Sequence, residues 1–175
     1  MSRISHSKRI VVNAIGYSSF SISIYGIWAD FVPNNTWVYC GLIFSLFSSA
    51  IFLYWIARLG LVKIAQNINR CLQAALAYSF FFAVSFIAVV HGVGDILTVS
   101  VGNRVKIEAL LAKSGDRDKR SCDFKLVGPS LSLAFPSHYC VSEAAFNSFP
   151  NSGIYKVFVS NSPIGFHIHS LEISR

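Results

Sequence analysis

Long apolar runs dominate the first half of the chain, and short alternating segments fill the second. Ile10 to Ala29 holds 20 residues without a formal charge, Phe31 to Ala57 holds 27, and Cys71 to Gly94 holds 24. About 20 apolar residues in a helix cross a ~30 Å hydrocarbon layer. The runs therefore predict three transmembrane helices, at about 10–29, 37–57 and 72–91. The first is the weakest, because Asn13, Ser18, Ser19, Ser21 and Ser23 dilute it. Its basic lead of Arg3, Lys8 and Arg9 also suits a signal peptide. Its apolar part is long, however, and no clear small-x-small site precedes Asp30, so a retained helix is expected.

From residue 95 the pattern shortens and turn residues multiply. Ile96–Val101 and Val105–Ala112 read as strands. In the latter, Val105, Ile107, Ala109 and Leu111 share one face, with Lys106 and Glu108 opposite. Cys122–Val127, Leu131–Phe135 and His138–Val141 read as shorter extended pieces, broken by Gly128-Pro129 and Pro136. Ser142 to Gly153 reads as irregular or one helical turn. Ile154–Ser160 and Ile164–Ile173 read as a closing hairpin around Asn161-Ser162-Pro163. The expected fold is a three-helix transmembrane domain over 1–94, followed by a small antiparallel β-rich domain, barrel or sandwich, over 95–175.

Charge adds orientation. The chain is 53% hydrophobic and 13% charged, against about one quarter charged in an average soluble domain. That deficit argues against an ordinary soluble enzyme. The net charge is +7, and residues 1–94 carry six basic residues against Asp30 alone. Lys8 and Arg9 precede the first helix, and Arg58, Lys63 and Arg70 fill the loop between the second and third. The loop from Asp30 to Thr36 has no Lys or Arg. The positive-inside rule then places the N-terminus and the 58–70 loop in the cytoplasm and the β-rich domain outside; the expected location is a bacterial inner membrane, with that domain in the periplasm. Trp28, Phe31, Trp37 and Tyr39 would mark the outer interface, and Tyr54 and Trp55 the inner one. The basic surplus reads as topology, and no nucleic-acid partner is expected. The mixed-sign run Lys113–Arg120 reads as a solvated turn.

Small residues repeat every four positions: Gly41, Ser45 and Ser49 in the second helix, and Ala75, Ser79 and Ala83 in the third. Such spacing lets helices approach closely in lipid. It fits packing within one bundle or association with a second copy or partner helix. Cys122 and Cys140 could form a disulfide in an oxidising compartment, closing a loop of about 18 residues. Cys40 and Cys71 would lie at opposite membrane faces.

Chemical motifs are sparse. His91 stands at the outer end of the third helix and could sense pH or meet a ligand. His167 and His169 share a strand face, and with His138 or Glu172 could hold zinc, although surface histidines are commoner there. No nucleophile elbow, P-loop or dinucleotide fingerprint is present. No catalytic, cofactor or metal residue is assigned. Phe146 and Phe149, in or beside a polar loop, are candidate partner contacts. Asn34-Asn35-Thr36 matches a glycosylation sequon but sits in a very short loop against the membrane.

A non-enzymatic integral membrane protein is therefore expected, one that associates through its helices and presents a β-rich domain for partner binding or envelope sensing. Helices joined to a β-rich module recur in bacterial antiphage effectors and toxin-immunity proteins, an analogy of layout only. The alternatives are an oligomeric channel-like or membrane-disrupting effector gated by the β-domain, and a membrane-anchored enzyme with a His-containing site. A reporter active only outside the cytoplasm, fused after Arg175, should give signal, and the same reporter fused after Gln66 should be silent.

Overall fold

The computed structural model describes residues 6–58, 68–114 and 122–173. The apolar runs are helical: α1 (His6–Trp28), α2 (Asn35–Arg58) and α3 (Ile68–Ile87). Chain direction continues from α3 through a π-helical segment, Ala88–Val93, into α4 (Gly94–Val101). Three stretches are long and apolar enough to cross a membrane: Ile10–Trp28, Asn35–Arg58 and Leu72–Val101. The third, of 30 residues, would measure about 45 Å at helical rise.

Ile96–Val101, expected as a strand, is thus helix α4. A short apolar run cannot be assigned by periodicity alone. Its flanking polar residues carry the period instead. His91, Asp95 and Thr98 are all buried and stand four and three positions apart, on one helical face. Ile96, Leu97, Val99 and Val101 point outward.

The helices meet through their smallest residues. A Cβ on Gly26 would lie 2.7 Å from the Gly92 amide nitrogen, and one on Gly92 would lie 2.6 Å from the Ile22 carbonyl oxygen. The backbones of α1 and the π-helical segment therefore touch. Gly41, Ser45 and Ser49 are the buried residues of α2, and a Cβ on Gly41 would strike Val90. Ala75, Ser79 and Ala83 are exposed. One small-residue repeat is consumed inside the chain and the other faces out. Farther along, Phe52 and Phe81 pack edge-on at 4.4 Å.

A π turn disturbs the regular helical ladder. The Gly94 amide reaches back to the carbonyl of Val89, and the Trp37 indole NH donates to that of Val90 at 3.1 Å. Trp37 thus ties α2 to the segment rather than serving only as an interface marker. Phe31, expected at the outer interface, is fully buried.

The β-rich part is one curled antiparallel sheet of six strands, a half-barrel, in place of a closed barrel or a sandwich. Its strands are β1 (Phe31–Pro33), β2 (Asn103–Ser114), β3 (Lys125–Val127), β4 (Tyr139–Cys140), β5 (Ser152–Ser162) and β6 (Gly165–Ile173). The order is β1-β6-β5-β2-β3-β4. Closure would require the end strands to pair, but β1 offers three residues and β4 two. β2 and β5 pair over ten positions, from Asn103↔Asn161 to Ala112↔Ser152. The expected alternation holds in β2 from Lys106 to Leu111, where Ala109 and Leu111 are buried, Ile107 half-buried, and Lys106 and Glu108 exposed; Val105, expected on the buried face, is exposed. Leu131–Phe135 is not a strand; Pro129–Leu131 forms a 3₁₀ turn that inserts Leu131 into the core. Ser142–Gly153 holds α5 (Glu143–Ser148), capped by the Ser142 hydroxyl accepting from the Ala145 amide.

The core joins Val32, Ala109, Leu111, Leu126, Leu131, Tyr155, Val157, Val159 and Ile168. Val32 comes from the short connection between α1 and α2. That connection enters the sheet as β1, with Phe31 opposite His167 and Pro33 opposite Gly165. Gly165 has φ +154°, and a Cβ there would lie 2.3 Å from the Val32 carbonyl oxygen. Only glycine suits both demands. Asn34 completes the join. Its carboxamide oxygen caps α2 by accepting from the Trp37 amide at 2.7 Å, and its NH₂ donates to the Pro163 carbonyl. The sequon side chain is thus engaged in the fold.

Cys122 and Cys140 form a disulfide, 18 positions apart with Cα atoms 5.9 Å from each other. It fastens β4 beside the start of β3. Cys40 is a free, exposed thiol. Lys63 and residues 115–121 of the polar turn lie outside the described residues. Lys8, Arg9 and Arg70 stand at the starts of α1 and α3, and Arg58 ends α2 exposed. Replacing both Cys122 and Cys140 by Ser should lower stability by about 3 kcal/mol, the loop-closure value for this span. Denaturant unfolding of the oxidised protein and the double variant in the same detergent checks this.

Candidate functional site

Where α4 lies against β5 and β6, polar side chains are buried together. Asp95 follows Gly94 on the inner face of α4 and has no exposed surface. Gly94 permits the approach, since a Cβ there would lie 2.6 Å from the Phe31 ring. One Asp95 carboxylate oxygen accepts a hydrogen bond from Nδ1 of His167 on β6 at 2.6 Å. The other accepts from the hydroxyl of Tyr25 on α1. A carboxylate removed from water is costly unless paired and hydrogen-bonded, and Asp95 has a partner at each oxygen. The constellation therefore spans α1, α4 and β6.

The surrounding polar groups extend this arrangement. One helical turn past Asp95, the Thr98 hydroxyl meets that of Ser162 at 2.8 Å, and Ser162 donates to the Gly165 carbonyl at 3.1 Å. Ser160, nearly fully buried, meets Nε2 of His169 at 2.8 Å. The His167 and His169 rings stand 4.8 Å apart, on one face as the sequence spacing requires. They are engaged separately, one by Asp95 and one by Ser160.

The two imidazoles titrate in opposite directions. The hydrogen bond to Asp95 holds the His167 pKa above its usual value; burial opposes this, and the charges of Asp95 and Asp30 reinforce it. Burial pushes His169 down, with the positive charges of His167 and Arg104 adding to the effect and Asp95 opposing it. Environments that push neighbouring pKa values apart separate their roles. Here the proton resides preferentially on His167. Asp30 is raised, chiefly by desolvation, with Asp95 adding and His167 opposing. Its backbone carbonyl accepts from the Ile168 amide at 2.9 Å, which keeps it beside the cluster.

The Asp95–His167 pair resembles the orienting half of a catalytic triad in chemistry. Two hydroxyls of the cluster are engaged otherwise: Ser160 is bonded to His169, and Tyr25 donates to Asp95. The arrangement is suited to holding and releasing a proton at a joint between elements.

The other expected residues are distributed elsewhere. His138 joins Cys122 and Cys140, with one ligand atom from each lying within 4.8 Å of the others. A nitrogen and two sulfurs form a zinc-type donor set only when the thiols are reduced, and here the sulfurs are bonded to each other. Glu172 stands opposite Lys156. His91 is buried in the π-helical segment, its ring 5.9 Å from that of Phe135. Phe146 packs on Phe124 at 5.3 Å with the Lys113 ammonium over its ring, and Phe149 packs on Tyr155 at 5.3 Å. Both rings turn back onto the sheet instead of standing free on a loop.

Sequence reasoning passed over Asp95 and Tyr25. On the sequence pattern Asp95 is the first residue of the β-rich part, beyond a third helix ending near residue 91. A usable signal was present: it is the single acid within a 30-residue apolar stretch, and an ionisable group in such a setting marks a functional position. Comparison with protein-family models, with curated proteins and with solved structures finds no match to this chain.

Asp95→Ala should strip both partners at once and cost about 3 kcal/mol, as for a broken buried pair. The raised His167 pKa also makes stability depend on pH. Its contribution is complete below the unfolded value of 6.5 and declines as pH rises through the folded value. Raised Asp30 acts in the same sense, because the folded state retains its proton longer. Thermal unfolding at pH 6 and pH 8.5 should show this fall in wild type and a shallower one in His167→Gln.

Proposed function

We propose that the protein is a non-enzymatic membrane component in which the half-barrel receives an input outside the membrane and the helices carry the response. The observation that supports this most is the Tyr25–Asp95–His167 constellation. It ties the sheet to two helical elements through groups whose bonding changes with protonation. A rigid domain on a passive anchor has no need of a buried carboxylate at the attachment point. Any shift of β6 on partner binding or proton loss would bear on α4 directly and on α1 through Tyr25.

Association through the helices belongs to the same reading. With Gly41, Ser45 and Ser49 used inside the chain, Ala75, Ser79 and Ala83 form the outward small-residue face. Helices in lipid associate through such faces. A second copy or a partner's helix is the proposed occupant, and an outer, periplasmic position of the half-barrel follows from the basic residues of the cytoplasmic side.

Extraction from native membranes in a mild detergent should yield a mass that is a multiple of 19.3 kDa or a stoichiometric complex with another protein. Ala83→Leu should shift that mass towards the monomer, because a bulky side chain prevents close helix approach. A strictly monomeric wild-type protein with no co-purifying partner would sink the proposal. Retention of full cellular activity by both Asp95→Asn and His167→Gln, at normal expression, would remove the joint from it.

A further inference from the structure

The sheet carries a groove near the start of β2. Arg104, Lys106, Phe158, His169 and Ser170 line it, together with Val105 and Val159, and its volume is about 490 Å³. Arg104 lies three residues after Val101, the last residue of the longest apolar span. A span of that length reaches through the hydrocarbon and headgroup layers together, about 40–45 Å, so a residue just past its end would stand at headgroup depth. We propose that this groove binds a phosphate-bearing anion, for which a phospholipid headgroup and free phosphate are the two sources.

Charge and register support the assignment. Arg104 pairs in the sheet with Ser160, and Lys106 with Phe158, so neither faces an acid across the ladder. The acids of this face stand further along: Glu108 and Glu172 both lie opposite Lys156. Within the strand ladder, basic side chains without a cross-strand acid therefore stand at the start of β2, next to the Asp95–His167 pair, and charges are matched further along.

The side chains are also placed before any ligand arrives. The Lys106 ammonium sits over the Phe158 ring, 4.4 Å from its centre, which orients the amine on an aromatic floor. The His169 ring is held by Ser160 at 2.8 Å. A guanidinium offers paired donors that match phosphate oxygens. An ammonium adds a point charge, and Ser170 adds a hydroxyl at the rim. This site rests on α4 ending at the membrane surface and is independent of whether the helices associate.

The test uses the full chain in an uncharged detergent. Native mass spectrometry would measure binding of phosphatidylglycerol and phosphatidylcholine, and inorganic phosphate would be titrated separately. Preferential binding of phosphatidylglycerol is expected, and Arg104→Ala with Lys106→Ala should weaken it about tenfold while phosphatidylcholine binding is unchanged. Lys113→Ala, at the far end of β2, serves as the charge control and should leave binding intact. The exchange Arg104→Lys with Lys106→Arg retains both charges and should restore most of the affinity. Phosphate binding that the double alanine variant abolishes, without lipid selectivity, would support the site and assign it to free phosphate. The proposal fails if neither probe binds selectively, or if Lys113→Ala weakens binding as much as the groove variant. Failure here with an intact complex mass would remove this site and leave the proposed function standing.

Discussion

A carboxylate with no exposed surface must be satisfied by its neighbours, and the arrangement around Asp95 follows from that requirement. Its partners come from two places in the chain, 70 and 72 positions away. Tyr25, itself 45% exposed on α1, must direct its hydroxyl to Asp95, and His167 must stand on the face of β6 that meets α4. Both conditions require the helices and the sheet to be docked in one orientation. An apolar contact in the same place would tolerate sliding, but a two-sided hydrogen-bonded carboxylate does not. Conformational specificity of this kind is what buried polar groups contribute when they add little net stability.

Docking so close is possible because bulk is missing where backbones meet. Gly26 and Gly92 bring α1 against the π-helical segment, and Gly94 admits the Phe31 ring beside Asp95. The π turn sits at this crossing and re-aims the following helix. Its disturbed ladder is met by the Trp37 indole, so the irregularity becomes a point of attachment for α2. Sheet, connection and helices therefore share one region of tight contact, and the polar cluster occupies its edge.

Much of this was legible in the sequence, for identifiable reasons. Three apolar runs of sufficient length leave few alternatives to helices. The alternation in Lys106–Leu111 and the two-residue spacing of His167 and His169 translate directly into strand faces. Cys122 and Cys140 pair as expected. The failures share a cause, which is that local pattern says nothing of tertiary surroundings. Ile96–Val101 is apolar and rich in β-formers, yet it continues a helix because Asp95 and Thr98 find partners only on that path. Phe31-Val32-Pro33 is too short to show any period, and its strand exists only because β6 lies alongside. The candidate site was half visible: its histidines were noticed and its carboxylate was not, because Asp95 looked like a boundary marker.

The strand between α1 and α2 also imposes an order on folding. Phe31 pairs with His167, 136 positions later in the chain (31 to 167). Synthesis therefore produces one edge of the sheet before the helices α2, α3 and α4 and before every other strand. Until the final hairpin is made, that edge has no neighbour, and the carboxylate of Asp95 lacks its imidazole. Contacts so distant in sequence are slow to form, since loop closure precedes any gain from them. The sheet is thus sealed by its last strand, and a nascent chain lacking its C-terminal residues would hold inserted helices without the contact that joins them to the half-barrel.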